Sequence, residues 1–369
     1  MENFRINISD ISNSPRPNGV SGMMRVKNDA EFIPACIESC IEALDELIIV
    51  YNDCTDNSPI IIEEMRHKYP DKIKVFHYLP KIKAWNLSDT EVDCIMRKEF
   101  PPEQTLAGYY NYALSKTTYR FVMKIDADQI YFSDKLKEIC DLYRSEPENC
   151  RRLSSILFAF LVKTYLTIAI RLKRNSSLIS NSRVWKKYIS SIRTLVKEKK
   201  INTSLSGINL IVSPHKAMIP LGKEFDNGVN ILPPYNGEGD HLIFKVTPKT
   251  YFVPIVDKEY NRLNKIGTSV IERLNGGGIV ISIGLYWCHL NSLRARTFNF
   301  MKEYMKAHKY SFLELDTFQS ANYYDLLRKN KFEMTSKGKA VHFDLIHNDL
   351  KEYEMQQILA VNQYFSNRR

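Results

Sequence analysis

Hydrophobic residues in the first third of the chain alternate between two spacings. The run GVSGMMRV, Gly19 to Val26, is continuous and short and predicts a strand, with Asn28 and Asp29 placed to cap a helix. In that helix Ile33, Cys36, Ile37, Cys40, Ile41 and Leu44 recur three and four residues apart, which marks one buried face. Pro34 falls in the first turn, where its missing N–H has no partner to lose. The β-branched run Leu47 to Tyr51 is too short for a helix and predicts a strand buried on both faces. Ser58 followed by Pro59 predicts an N-cap and a helix to about Tyr69. A strand at Ile73 to Tyr78, a helix at Gln104 to Ser115 with Leu106, Ala113 and Leu114 inward, and a strand at Tyr119 to Ile125 complete the series.

Strand and helix in this rhythm predict an α/β fold, a mostly parallel sheet with helices on both faces. Such sheets bind ligands beyond the carboxyl ends of their strands, where loops and helix N-termini leave N–H groups unsatisfied. That edge carries two acidic clusters, Asp53 with Asp56 after the second strand and Asp126-Ala127-Asp128 after the fourth. Neither is accompanied by a glycine-rich phosphate loop; Gly276-Gly277-Gly278 lies far downstream and fits no such fingerprint. A phosphate bound here therefore needs a cation to bridge it to the carboxylates, and oxygen ligands suit Mg²⁺ or Mn²⁺. A D-x-D tripeptide alone is a weak signal; its position at a strand end gives it weight.

Composition, 44% hydrophobic and 25% charged over 369 residues, excludes disordered, collagen-like and disulfide-scaffold classes. Seven cysteines without a CxxC pair, and a start lacking a basic-then-apolar leader, predict a reducing, cytoplasmic setting. The net charge of +10 is concentrated: thirteen basic residues and one acid, Glu198, lie between Arg151 and Lys200, so the remainder is near neutral. Within this segment Ile156 to Ile170 is almost wholly apolar, yet a helix of that length falls well short of the roughly 30 Å hydrocarbon core. Two readings stand side by side, a buried helix with a solvated charged face and a helix lying on an anionic membrane surface. From Ser292 the chain reads as helical, with Phe298, Met301, Tyr304 and Met305 as a packing stripe.

The stretch from Ser21 to Asp128 resembles the nucleotide-sugar-binding half of GT-A glycosyltransferases, the family-2-like group that builds bacterial surface polysaccharides. The matching pieces are MRVKNDAEFI, CIESCI, LIIVYNDCTDNS, Asn111 in YYNYALS, and KIDAD, in the family's order and spacing. The resemblance implies a GT-A (Rossmann-like) fold, donor contacts at Asn28, Asn52, Asp53, Asp56, Asn111 and Asp126, and a metal held by Asp126 and Asp128. It departs from the family at the second-strand loop, usually D-D-G-S-T-D, where Tyr51 to Asp56 read Y-N-D-C-T-D and the aspartate that contacts the nucleobase is missing from its place, with Asn52 or Asp53 as substitutes. Ser206 to Asp226 followed by NGEGDHLIF is similar to the acceptor-side segment, whose E-D-x-D-L motif supplies the base; Asp240, with Glu238 as the other candidate, takes that position. By similarity to members that complete the metal site with a histidine, His289 in YWCHLNS joins the metal set, with His215 and His241 as alternatives.

The implied organisation is a donor half at 1–150, a basic helical insertion at 151–200, an acceptor half at 201–290 and a helical C-terminal region at 291–369. The implied activity is metal-dependent transfer from a nucleotide sugar, UDP-linked by preference, to a glycan or lipid-linked glycan, with inversion. The enzyme is expected in the cytoplasm or peripherally on the inner face of the cytoplasmic membrane, with no nucleic-acid partner. Arg25, Lys27 and Lys124 are candidates for phosphate contact. The competing readings are a sugar-phosphate nucleotidyltransferase, which normally carries a glycine-rich basic loop absent here, and a non-catalytic protein that binds lipid or nucleic acid through 151–200.

Overall fold

The computed structural model describes residues 4–7, 11, 15–146, 157–158, 161, 164, 183–199, 201–214, 216–221, 234–237, 242–256, 268–276, 280–290, 293, 312–330, 343–344, 346–347 and 350–368. The chain opens with β1 (Val20–Val26), α1 (Ile33–Cys40), β2 (Glu46–Tyr51), α2 (Ser58–Lys68) and β3 (Ile73–His77). It continues through α3 (Asp89–Met96), α4 (Leu106–Lys116), β4 (Phe121–Asp126), β5 (Gln129–Tyr131), α5 (Ser133–Arg144) and α6 (Arg183–Lys199). Next come β6 (Asn202–Asn209), β7 (Met218–Pro220), β8 (Tyr235–Asn236), β9 (Leu242–Lys245), β10 (Tyr251–Val256), β11 (Val270–Asn275) and β12 (Val280–His289). The last described elements are β13 (Phe312–Glu314), α7 (Leu315–Ser320), α8 (Tyr323–Asn330) and α9 (Glu352–Ser366).

Two compact units are built from interleaved stretches, the first from 1–128 and 242–280, the second from 129–241 and 281–369. In the first unit the strands lie in the order β3-β2-β1-β4-β9. The first three pairings are parallel, and β9 joins β4 antiparallel. This is the predicted α/β arrangement, a parallel sheet assembled by successive strand–helix crossovers. All six positions of the predicted α1 stripe are buried, although the α-helix itself ends at Cys40 and a single 3₁₀ turn carries Ile41. Removing such side chains from water is worth about 1.5–3 kcal/mol each. On the other side of the first-unit sheet, α4 packs its tyrosines with Met23, Ile48, Val50 and Val122 of the strands and with Phe252 of β10.

Three local expectations are corrected. Asn28 and Asp29 do not cap α1: its N-cap is Phe32, without a side-chain bond, because the Asn28 carboxamide is already paired with Thr55. Ser58 is the first helical residue of α2 rather than its cap, which is Asn57; the Ser58 hydroxyl instead accepts from the Asp29 N–H at 2.9 Å. Helix α3 was not anticipated, although Ser88 and Glu91 form the reciprocal capping box that marks its start.

The second unit contains β6, β12 and β5 side by side, with β8 on β6. Helix α6, the one described helix of the basic segment, buries Ile192, Leu195 and Val196 inside this unit. Its Arg193 pairs with Glu138 of α5, and Lys135 of α5 pairs with Glu354 of α9 at 2.7 Å. The stripe at Phe298 to Met305 lies outside the described residues, as does most of Ile156 to Ile170, of which Leu157 and Leu161 are exposed.

Candidate functional site

In the first unit the carboxyl ends of β1, β2 and β4 carry the residues the sequence singled out. The loops after β1 and β2 are bound to each other side chain by side chain. Asn28, in the left-handed region at φ 59°, offers its carbonyl to the Thr55 N–H at 2.7 Å and donates to the Thr55 hydroxyl at 3.1 Å. Asp56 accepts from the Ala30 N–H at 3.1 Å and from the Ser58 N–H at 3.0 Å. Its partial burial disfavours the charge, but the Ser58 and Ala30 donors outweigh that and hold the carboxyl below its ordinary value. Asp53, also left-handed at φ 48°, is exposed and pairs with Lys27 at 2.9 Å; that hydrogen bond lowers its pKa.

Asn52 and Asn111 face inward. The Asn52 amide donates to the carbonyls of Tyr78 and Pro80 at 2.6 and 3.0 Å, tying β2 to the chain leaving β3. Asn111 bonds both backbone groups of Phe252, donating to its carbonyl at 2.9 Å and accepting from its N–H at 2.7 Å, so that α4 grips β10. Five of the six predicted donor contacts thus hold loops and strands in place through their side chains.

The end of β4 is built differently. Asp126 keeps a third of its side chain exposed, with the Arg25 guanidinium 4.0 Å from its carboxylate. Its backbone carbonyl accepts from the Cys36 thiol at 3.6 Å, which anchors α1 to this strand end. Burial, with help from Cys40 and the carboxylates of Asp128 and Asp126, pushes the Cys36 thiol well up, so it stays a neutral donor. Asp128 is 4% exposed. Beneath Asp126 lies a buried ion pair that the sequence did not reveal: Lys124 of β4 and Glu272 of β11, 2.9 Å apart and 6% and 9% exposed. Both cations lie over the Tyr110 ring, the Arg25 guanidinium 3.6 Å from its centroid and the Lys124 ammonium at 4.9 Å. All three predicted phosphate-contacting cations, Arg25, Lys27 and Lys124, therefore have carboxylate partners within the protein.

In the second unit His289 ends β12, as predicted. Its Nδ1 lies 2.7 Å from Asn209 Oδ1 and 2.9 Å from Asn236 Nδ2, and its ring meets Trp287 edge-on at 5.6 Å. Trp287 is fully buried against β6, where a Cβ at Gly207 would fall 2.2 Å from the indole. Glu238, Asp240, His215 and His241 lie outside the described residues. Among the described residues no three His, Cys, Asp or Glu side chains gather at metal-ligating distance, and no helix is long and apolar enough to cross a membrane.

A parallel sheet with an acidic pair closing one of its central strands presents a ligand-binding edge beyond the carboxyl ends of its strands. Residues 5–167 match the family model described as beta-1,4-N-acetylgalactosaminyltransferase (CgtA). The resemblance to bacterial surface glycosyltransferases drawn from Ser21 to Asp128 is borne out by that match. Solved structures similar to the chain include S. aureus TarS 1-349 in complex with UDP, at 18% identity and a TM-score of 0.24, covering 37% of this chain and 38% of that one. Another is the Mycobacterium tuberculosis glucosyl-3-phosphoglycerate synthase in complex with Mn²⁺, UDP and phosphoglyceric acid, at 18% identity and a TM-score of 0.21, covering 31% and 34%. The chain thus spans little more than a third of the length of these structures. No curated protein matches it.

Proposed function

We propose that this protein is a GT-A glycosyltransferase that moves a sugar from a UDP donor to a glycan acceptor of a bacterial surface polysaccharide, with N-acetylgalactosamine as the first sugar to test. The observation that carries this reading is the Asp126-Ala127-Asp128 turn at the end of β4, inside the family-matched stretch and at the ligand-binding edge of the parallel sheet. The family's name specifies a beta-1,4 linkage. A β-linked product from an α-linked nucleotide sugar requires inversion, and hence a base on the acceptor side.

The donor set fits a hard divalent cation: two carboxylates, one of them a third exposed, with no thiolate competing because the nearby Cys36 is held neutral. Asp126 and Asp128 would hold Mn²⁺ or Mg²⁺, which when bound stabilises the negative charge of a leaving diphosphate. Arg25, stacked on Tyr110, keeps a positive charge beside Asp126 and orients that carboxylate. The interlocked β1 and β2 loops give the donor a preformed wall, so little ordering is required when it binds. Asp240, with Glu238 second, accepts the proton of the attacking hydroxyl. A lipid-linked acceptor would bring the basic segment onto anionic lipid; binding to anionic vesicles that weakens with salt tests this point separately.

The decisive experiment is Asp128→Asn assayed with UDP-N-acetylgalactosamine and Mn²⁺. Transfer is expected to fall by about 10²–10³-fold, the effect of removing one preorganised charge-stabilising group, with the thermal midpoint unchanged. Normal turnover by that variant would sink the proposal. Thermal shifts with UDP-, GDP- and CMP-sugars then rank the donors.

A further inference from the structure

Three strand ends of the second unit, those of β6, β8 and β12, bring Asn209, Asn236 and His289 together. With the Asn209 carboxamide oxygen turned toward the ring, its contacts set where the hydrogen on the imidazole sits. Asn209 Oδ1 only accepts, and it lies 2.7 Å from His289 Nδ1 and 3.1 Å from Asn236 Nδ2. If Nδ1 carried a lone pair, two acceptors would face each other at 2.7 Å. With the hydrogen on Nδ1, the ring donates to Asn209 Oδ1, whose second lone pair takes a hydrogen of the Asn236 amide. The 2.9 Å approach of Asn236 Nδ2 to Nδ1 is then a close packing contact between two groups sharing one acceptor.

The acceptor is itself held firmly. Asn209 is fully buried, and its N–H donates to the Pro234 carbonyl at 2.8 Å. The Leu210 N–H donates to the His289 carbonyl at 3.0 Å, fixing the backbone of β12 at that residue. The Trp287 ring, anchored by its Nε1–H on the Leu205 carbonyl at 3.2 Å, packs against the imidazole and limits its rotation.

We propose that Asn209 is a positioning residue that locks neutral His289 in the Nδ1–H tautomer, so that Nε2 is the basic nitrogen, the form that can ligate a divalent cation. A ligating histidine commonly has its other nitrogen tied to such a partner, and loss of that partner typically costs 10–100-fold in metal affinity or activity. The assignment of Asn209 rests on the reading of the protein as a metal-dependent transferase only for its use; the tautomer itself does not depend on that reading.

Long-range ¹H–¹⁵N spectra of the imidazole, at a pH where it is neutral, read the tautomer directly. In the wild-type protein His289 is expected to show a protonated Nδ1 and an unprotonated Nε2; a protonated Nε2 overturns the proposal. Asn209→Leu should release the ring to Nε2–H and weaken Mn²⁺ binding in the presence of UDP by 10–100-fold, whereas Asn209→Asp, which keeps an acceptor, should retain Nδ1–H. If Asn209→Leu does not fold, the wild-type and Asn209→Asp spectra still decide. Unchanged Mn²⁺ affinity in a folded Asn209→Leu protein also overturns the positioning role. Failure of Mn²⁺ and UDP to bind the wild-type protein would count against the transferase reading, while an Nε2–H wild-type ring would count against this one.

Discussion

At the carboxyl end of β2, Asp56 accepts two backbone N–H groups and Asp53 pairs with Lys27; at the end of β4, Asp126 has the Arg25 guanidinium 4.0 Å away and keeps a third of its side chain in solvent. Both clusters look alike in sequence, acids following an apolar strand. One builds the loop it sits in, and the other is built by its surroundings, with Cys36 holding its backbone and the Lys124–Glu272 pair lying beneath. Carboxylates whose lone pairs are filled by nearby N–H groups act as stabilising caps.

The largest expected effect probes what lies under the β4 cluster. Lys124→Met leaves Glu272 charged and buried without its cation and should cost about 3–5 kcal/mol, read as a fall in the denaturation midpoint. The double variant Lys124→Met, Glu272→Met should recover most of that stability, since an apolar pair of similar volume is often neutral. Next comes the 10²–10³-fold loss of transfer in Asp128→Asn at unchanged stability, which sets the β4 acids apart as functional.

Asp56→Ala should show the reverse, a loss of about 1 kcal/mol in stability, as for removal of a helix-capping carboxylate, with kcat largely retained. The sign with pH follows from its lowered pKa. A depressed carboxylate contributes stability above its unfolded value, near 3.9, and loses it as pH falls through the lower folded value. Acid-unfolding curves of Asp56→Ala should therefore show less destabilisation between those two points than wild type. Smallest of all is Asp53→Asn: an exposed pair with Lys27 is screened by water, and its thermal midpoint should not move measurably. A large activity loss in Asp53→Asn would erase the contrast between the two loops.

The parallel sheet was legible in the sequence because each strand is a short, largely apolar run and α1 repeats its apolar residues at helical spacing. What was hidden depends on partners far apart in the chain. Lys124 and Glu272 are separated by more than a hundred residues, and nothing local to either marks the pair. Asn111 and Asn52 read as polar residues near a ligand edge, but the strands they bind, β10 and the exit of β3, become visible only when folded. The same holds for Asn209 and Asn236, ordinary strand asparagines until β6 and β8 bring them to His289. The capping box of α3 was the exception, a local signal available in Ser88 and Glu91.

The indole of Trp287, sealed against Gly207, gives the second unit an intrinsic optical reporter, while Trp85 stands half exposed in the first. With Trp185 replaced by Phe, emission from the buried ring should be blue-shifted and should redden as the second unit opens. If His289 ligates the ion as proposed, titration with Mn²⁺ should quench that emission in proportion to occupancy, so that one unlabelled fluorescence trace follows both unfolding and ion binding.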